Sequence, residues 1–78
     1  MKYITFYSDC LEKIIIFPRT INHKKIAADM NIKKDDIIGA GFFNIHTQEL
    51  FGESISLGIS TNERDYNILM LNIWCLLY

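Results

Sequence analysis

Apolar and polar positions along the chain fall into short blocks separated by turn residues. Tyr3 to Tyr7, "YITFY", has the β-branched and aromatic content of a strand. After a polar turn from Ser8 to Glu12, Lys13 to Phe17, "KIIIF", reads as a second strand. So short a connection predicts a β-hairpin. Pro18 ends it, because proline cannot donate to a ladder. In "TINHKKIAADMN", Thr20 or Asn22 is placed to cap a short helix, Ile26, Ala27 and Met30 supply a modest apolar stripe, and Asn31 is a terminator. Asp36 to His46 predicts a third strand with Gly39 and Gly41 on one face, the mark of a bulge or of a close approach by another backbone. The turn "HTQE" leads to a fourth strand, Leu50 to Ile59. Ser60 and Glu63 then form a capping box, and a helix runs through "RDYNILMLNIWCLLY" to the chain end.

The order is β-β-α-β-β-α. It predicts a single α+β domain over residues 1–78, in which two hairpins build a mainly antiparallel four-stranded sheet with two helices. Strict alternation along the fourth strand puts Phe51, Ile55 and Leu57 on one face together with Glu53. The opposite face is Gly52, Ser54, Ser56 and Gly58, so low that something must approach it closely. Ile68, Leu69, Met70, Leu71, Ile73, Trp74, Leu76 and Leu77 cover most of the terminal helix. A helix apolar all round is a buried one, and one small sheet covers only one of its faces. A homo-oligomer assembled through this C-terminal helix is the expectation.

Composition changes this picture little: 78 residues, half of them apolar and 22% charged, describe a small globular chain. A chain of this size gains from a partner. The two cysteines, Cys10 and Cys75, form no Cys-x-x-Cys and read as reduced thiols, which points to the cytoplasm. The longest apolar run, Ile68 to Tyr78, is interrupted by Asn72 and is too short to span a bilayer.

Charge is more informative in its distribution than in its sum. The net value of −1 argues against general nucleic-acid binding. Lys13, Arg19, Lys24, Lys25, Lys33 and Lys34 face one acid, Asp29, between positions 13 and 34. From Asp35 onward six acids face Arg64 alone. Solvated faces of opposite sign account for this split, and so does a small basic site for a phosphorylated ligand. Lys24 and Lys25 stand near a helix start, where the macrodipole disfavours cations by tenths of a kcal/mol to about one.

Candidate chemistry is sparse. Glu53 is either a solvent-facing carboxylate or a partly buried one that must be paired, with Arg64 or His23 as partner. Ser54 and Ser56 either allow close packing or hydrogen-bond a sugar or phosphate. Arg64, in the first turn of the last helix, is set to reach a carboxylate or phosphate, whereas the helix dipole explains Asp65 there. His23 is a better ligand-binding candidate than His46, which sits in a turn. The aromatic residues suit a core, though Phe42 or Phe43 beside Gly41 can lie against a base. No glycine-rich phosphate loop, zinc spacing or catalytic triad is present, and no cofactor or metal is expected.

Three segments carry a resemblance: "IIIFP" with Ile21 and His23, "I-x-A-G-F" from Ile38 to Phe42, and "GESISLGIS" from Gly52 to Ser60, followed by Asp65. Together they resemble a group of small bacteriophage and prophage proteins over residues 13–66. The resemblance implies a phage-encoded accessory protein of the host bacterial cytoplasm. It also picks out His23, Glu53, Ser54, Ser56 and Asp65. Where such proteins often have an arginine after the Ser60 position this chain reads "TNER", so either Arg64 substitutes or that contact is absent. Small phage proteins of this kind often counter host defence. The expectation is therefore a non-catalytic sponge for a nucleotide-derived immune signal, bound by His23, Phe42, Glu53, Ser54, Ser56, Arg64 and Asp65 near a subunit interface. An anti-CRISPR-like inhibitor that binds a host defence protein is the alternative. An enzyme using Glu53 or His23 as acid or base ranks third.

Overall fold

A computed structural model describes residues 1–71 and 76–77 of the chain. Strands β1 (Lys2–Ser8) and β2 (Leu11–Phe17) pair antiparallel from Lys2↔Phe17 to Ser8↔Leu11. Only Asp9 and Cys10 join them, with φ of 54° and 63°. Positive φ at both positions is what a two-residue type I′ connection requires. The expected five-residue turn is thus mostly strand.

Helix α1 (His23–Asp29) follows, and the Asn22 side chain caps it by accepting from the Lys24 amide at 2.7 Å. Asn31 ends it in the left-handed region, at φ 57°. Its amide donates to the Ala28 carbonyl and that of Ile32 to the Ala27 carbonyl, the paired bonds of a Schellman motif. Ile32 then packs into the core beneath the helix.

Strand β3 (Ile37–Asn44) pairs antiparallel with the other side of β1. The strands β2 and β3 therefore run parallel with β1 between them, and α1 is the crossover of a split β-α-β unit. β4 (Glu49–Phe51) adds to β3. Four strands of the five-stranded main sheet read β4-β3-β1-β2 and are antiparallel, as expected, in an α+β arrangement with two helices.

The fourth strand is not continuous. Its ladder to β3 stops at Phe42↔Phe51, because Gly52 turns the chain with φ 77°. A small separate hairpin follows, β5 (Glu53–Ser54) with β6 (Ile59–Ser60), and Gly58 takes φ 68° in its loop. The two glycines thus serve as bends, and the alternation expected from Leu50 to Ile59 is lost. Leu57 and Ser54 are buried, whereas Ile55 is 90% exposed and Glu53 lies on the surface.

Helix α2 (Glu63–Leu71) begins two residues later than the Ser60 cap predicts. Asn62 precedes it, and the Asp65 carboxylate accepts from the Asn62 amide at 3.1 Å. That bond is the reciprocal half of a capping box, moved to Asn62 and Asp65. The expectation of helix to the chain end fails at Leu76–Leu77, which form strand β7, parallel to β2 and opposite Ile15 and Ile16. The open edge of β2 offers unpaired amides and carbonyls, and β7 satisfies them. Ile73 and Trp74, assigned to that helix, lie outside the described residues, as does Cys75; Cys10 is an exposed free thiol.

The sheet is buried on both faces. Ile4, Phe6, Ile15, Phe17 and Ala40 pack with Ile26 and Ala27 of α1 and with Leu57. Tyr3, Ile14, Ile16, Phe43 and Leu50 pack with Ile68 of α2. Between Thr5↔Gly39 and Phe6↔Ile37 the register of β1 and β3 shifts, leaving Ile38 as the extra residue of a bulge. Ile37 accordingly joins the α1 side, while Ile38 and Phe43 join the α2 side.

Candidate functional site

Four of the seven expected site residues converge. His23, Phe42, Glu53 and Ser56 line one open cleft of about 380 Å³, together with Lys2, Asn22, Gly52 and Ile55. Its floor is built by the crossover. Helix α1 delivers His23 onto β3, where the imidazole Nε2 lies 2.8 Å from the Gly41 carbonyl oxygen. A carbonyl can only accept, so Nε2 carries the proton and Nδ1 is an acceptor. Phe17 and Phe42 meet the ring edge-on, at centroid distances of 5.4 and 6.1 Å. Burial pushes the His23 pKa below its ordinary value and neighbouring Lys2 adds to this, while the Gly41 carbonyl opposes it. The ring is neutral at pH 7 and serves the cleft as a wall.

The rim carries the polar groups. Lys2 reaches across to donate to the Ile21 carbonyl at 2.9 Å, which fixes its ammonium beside the cleft. Phe42 is half-buried and stacks on the half-exposed Phe51, with centroids 5.8 Å apart and ring planes 26° from parallel. Gly52 permits this arrangement, since a Cβ there would lie 2.9 Å from the Phe42 ring. Ser54 sits beneath the rim with its hydroxyl accepting from the Leu57 amide at 3.2 Å and lying 3.3 Å from the Ser56 hydroxyl. It shapes the loop that presents Ser56.

Glu53 takes the solvent-facing state of the two expected, exposed and not paired with Arg64 or His23, whereas Arg64 and Asp65 do not line the cleft. Arg64 instead bonds Glu12 at 2.7 Å through Nε, on a different part of the surface from the cleft. Asp65 is fully buried under the sheet, where Tyr3 donates to Oδ2 at 2.5 Å and Thr5 to Oδ1 at 2.7 Å. The Tyr3 hydroxyl also lies 2.8 Å from the Thr61 oxygen and, its proton given to Asp65, accepts there. Burial and the Asp65 bond drive the Tyr3 pKa far above its ordinary value, against a smaller opposing effect of Thr61. Helix dipole alone does not account for Asp65; it ties α2 to β1.

Lys2 escaped the sequence reading, and Arg19 entered it only as one of the six residues of the basic half. Arg19 lines a second cleft of about 360 Å³ with Met1, Phe42 and Phe51. Its place in the basic half of the chain, just after Pro18, was the available signal. Among the described residues no cluster of histidine, cysteine and acidic side chains is suited to hold a metal ion. None of their helices is long and apolar enough to cross a membrane. Comparison with protein-family models, with curated proteins and with solved structures finds no match for this chain.

Proposed function

We propose that the protein is a non-catalytic binding protein, a sponge that holds a nucleotide-derived signalling molecule in the cleft between Phe42 and Ser56. The observation that carries this reading is the make-up of that cleft. One aromatic side chain (Phe42), one fixed cation (Lys2), one exposed carboxylate (Glu53) and one loop hydroxyl (Ser56) line a mainly apolar cleft. A base stacks on an aromatic face, a phosphate takes the cation, and a carboxylate accepts from amino or ribose hydroxyl groups. His23 is not a proton donor to the cleft, since its one N–H is committed to the Gly41 carbonyl. Together with the resemblance to small phage proteins, this suggests sequestration of a host immune signal in the bacterial cytoplasm, by a homo-oligomer.

The test is retention. Purified protein is incubated with cyclic nucleotides and ADP-ribose derivatives, separated from free ligand, and denatured. Recovery of an intact molecule supports the proposal; recovery of a degraded one, or of none across the set, refutes it. A second reading, direct inhibition of a host defence protein, draws on Phe51 and Ile55, large apolar side chains exposed by 51% and 90% at the same rim. Stoichiometric capture of one host protein, lost on Ile55→Asp, would favour that reading.

A further inference from the structure

We infer that the bound molecule carries anionic groups on both sides of a nucleoside unit, as in a short 3′,5′-phosphodiester-linked oligonucleotide, and lies along three adjoining depressions. This inference rests on the binding reading above and narrows its ligand class.

The depressions share walls. Phe42 separates the central cleft from the Arg19 cleft on one side. Ser56 separates it on the other side from a third depression, of about 300 Å³, in which Lys24, Lys34 and Leu57 stand over Ala27 and Ile37. The sequence of walls is thus Arg19, the Phe51–Phe42 stack, Lys2 with Glu53, Ser56, and the Lys24–Lys34 pair.

Charge follows the same order. Among the described residues the ion pairs engage Lys13 with Asp9, Lys25 with Asp29 and Arg64 with Glu12. Arg19, Lys24 and Lys34 are outside that set, and they occupy the two ends of the trough. Among the described residues no carboxylate lines either end; Asp35 and Asp36, which follow Lys34 in sequence, are not among the lining residues. Glu53 is the carboxylate that lines the trough, and it stands in the middle. A carboxylate repels phosphate but accepts hydrogen bonds from base amino groups and ribose hydroxyls. Cation, carboxylate, cation is therefore the complement of phosphate, nucleoside, phosphate. A monophosphate engages one end and leaves the other idle, whereas a second linked phosphate binds at high effective concentration.

The test is titration calorimetry with nucleoside 5′-monophosphates, nucleoside 3′,5′-bisphosphates and linear 5′-phosphorylated dinucleotides, each with all four bases. The bisphosphate or dinucleotide of the preferred base is expected to bind at least about tenfold more tightly than its monophosphate. Its affinity falls more steeply with salt, by a slope of roughly 0.7 per added phosphate contact. Replacing both exposed lysines (Lys24→Ala with Lys34→Ala) should cost the two-phosphate probe at least about tenfold and the monophosphate under about threefold. A melting curve of the variant confirms that it folds. Equal affinity for one and two phosphates, or equal losses in the variant, would overturn the inference while leaving a nucleotide-binding cleft. Failure of every probe to bind would also overturn the inference, and the binding reading would then rest on retention of cyclic nucleotides and ADP-ribose derivatives.

Discussion

Asp65 shows how much one buried side chain can organise. A carboxylate taken out of water must recover its hydrogen bonds inside the protein, and here Tyr3, Thr5 and the Asn62 amide provide them. The space it occupies exists because Gly39 has no side chain: a Cβ there would lie 2.2 Å from the carboxylate oxygen. Held by three partners, Asp65 has nowhere to move, so Gly39→Ala is expected to destabilise the protein by about 2 kcal/mol or more. Asp65→Ala leaves the Tyr3 hydroxyl with Thr61 alone and the Thr5 hydroxyl with the Gly39 carbonyl alone, and removes a capping bond, at a cost of about 2 kcal/mol. Urea unfolding measures both.

His23 makes a prediction of a different kind. Its folded pKa lies below the ordinary value, so the unfolded chain takes up the proton first as pH falls. Stability is full above about pH 6.5 and declines as pH drops through the lowered folded value. Replacing His23 with Gln keeps an N–H for the Gly41 carbonyl and cannot titrate. Urea midpoints between about pH 7.5 and 5 should fall for the natural protein and flatten in His23→Gln.

At the scale of elements, Gly52 and Gly58 divide what reads as one strand into a strand and a separate hairpin. Both take positive φ, but only Gly52 is crowded, by the Phe42 ring; a Cβ at Gly58 meets nothing. Gly58→Ala is expected to cost about 1 kcal/mol, from backbone conformation alone. Gly52→Ala should cost about 2 kcal/mol or more and weaken ligand retention by displacing Phe42. Paired unfolding and retention measurements separate the two effects.

The same segment shows what a sequence can tell. Strands β1 and β2, the Asn22 cap, the Asn31 stop and the glycine pair of β3 were legible, because each depends on residues near in sequence. Leu50 to Ile59 misled because alternation assumes an unbroken extended backbone, and glycine is silent on whether it continues or bends. The partners of Asp65 lie some sixty positions away on β1, which local pattern does not reach. Of the cleft, His23, Phe42, Glu53 and Ser56 were legible as residue types. Lys2 was not, since only the fold brings it beside them.

For the whole molecule, burial on both faces of the sheet makes the two helices jointly responsible for the core. It leaves a groove of about 480 Å³ elsewhere, where Leu71 at the end of α2 lies with Tyr7, Cys10, Leu11, Glu12 and Lys13 of the first hairpin. Leu71 is 81% exposed, and Leu11 and Met70 are also on the surface. If assembly uses this region, sedimentation velocity should show an oligomer in the natural protein and a smaller species in Leu71→Glu. An unchanged distribution would place assembly, if any, on another face.

The bulge at Ile38 bears on how this chain tolerates changes in length. Because Thr5 pairs with Gly39 and Phe6 with Ile37, Ile38 is surplus to the ladder. Excision of that residue would close the register without turning over any other side chain, whereas excision of Ala40 would send one arm of the strand to the wrong face. The central sheet thus contains an expansion joint. Deletion of Ile38 is therefore expected to cost less stability than deletion of Ala40, which urea unfolding of the two variants would measure.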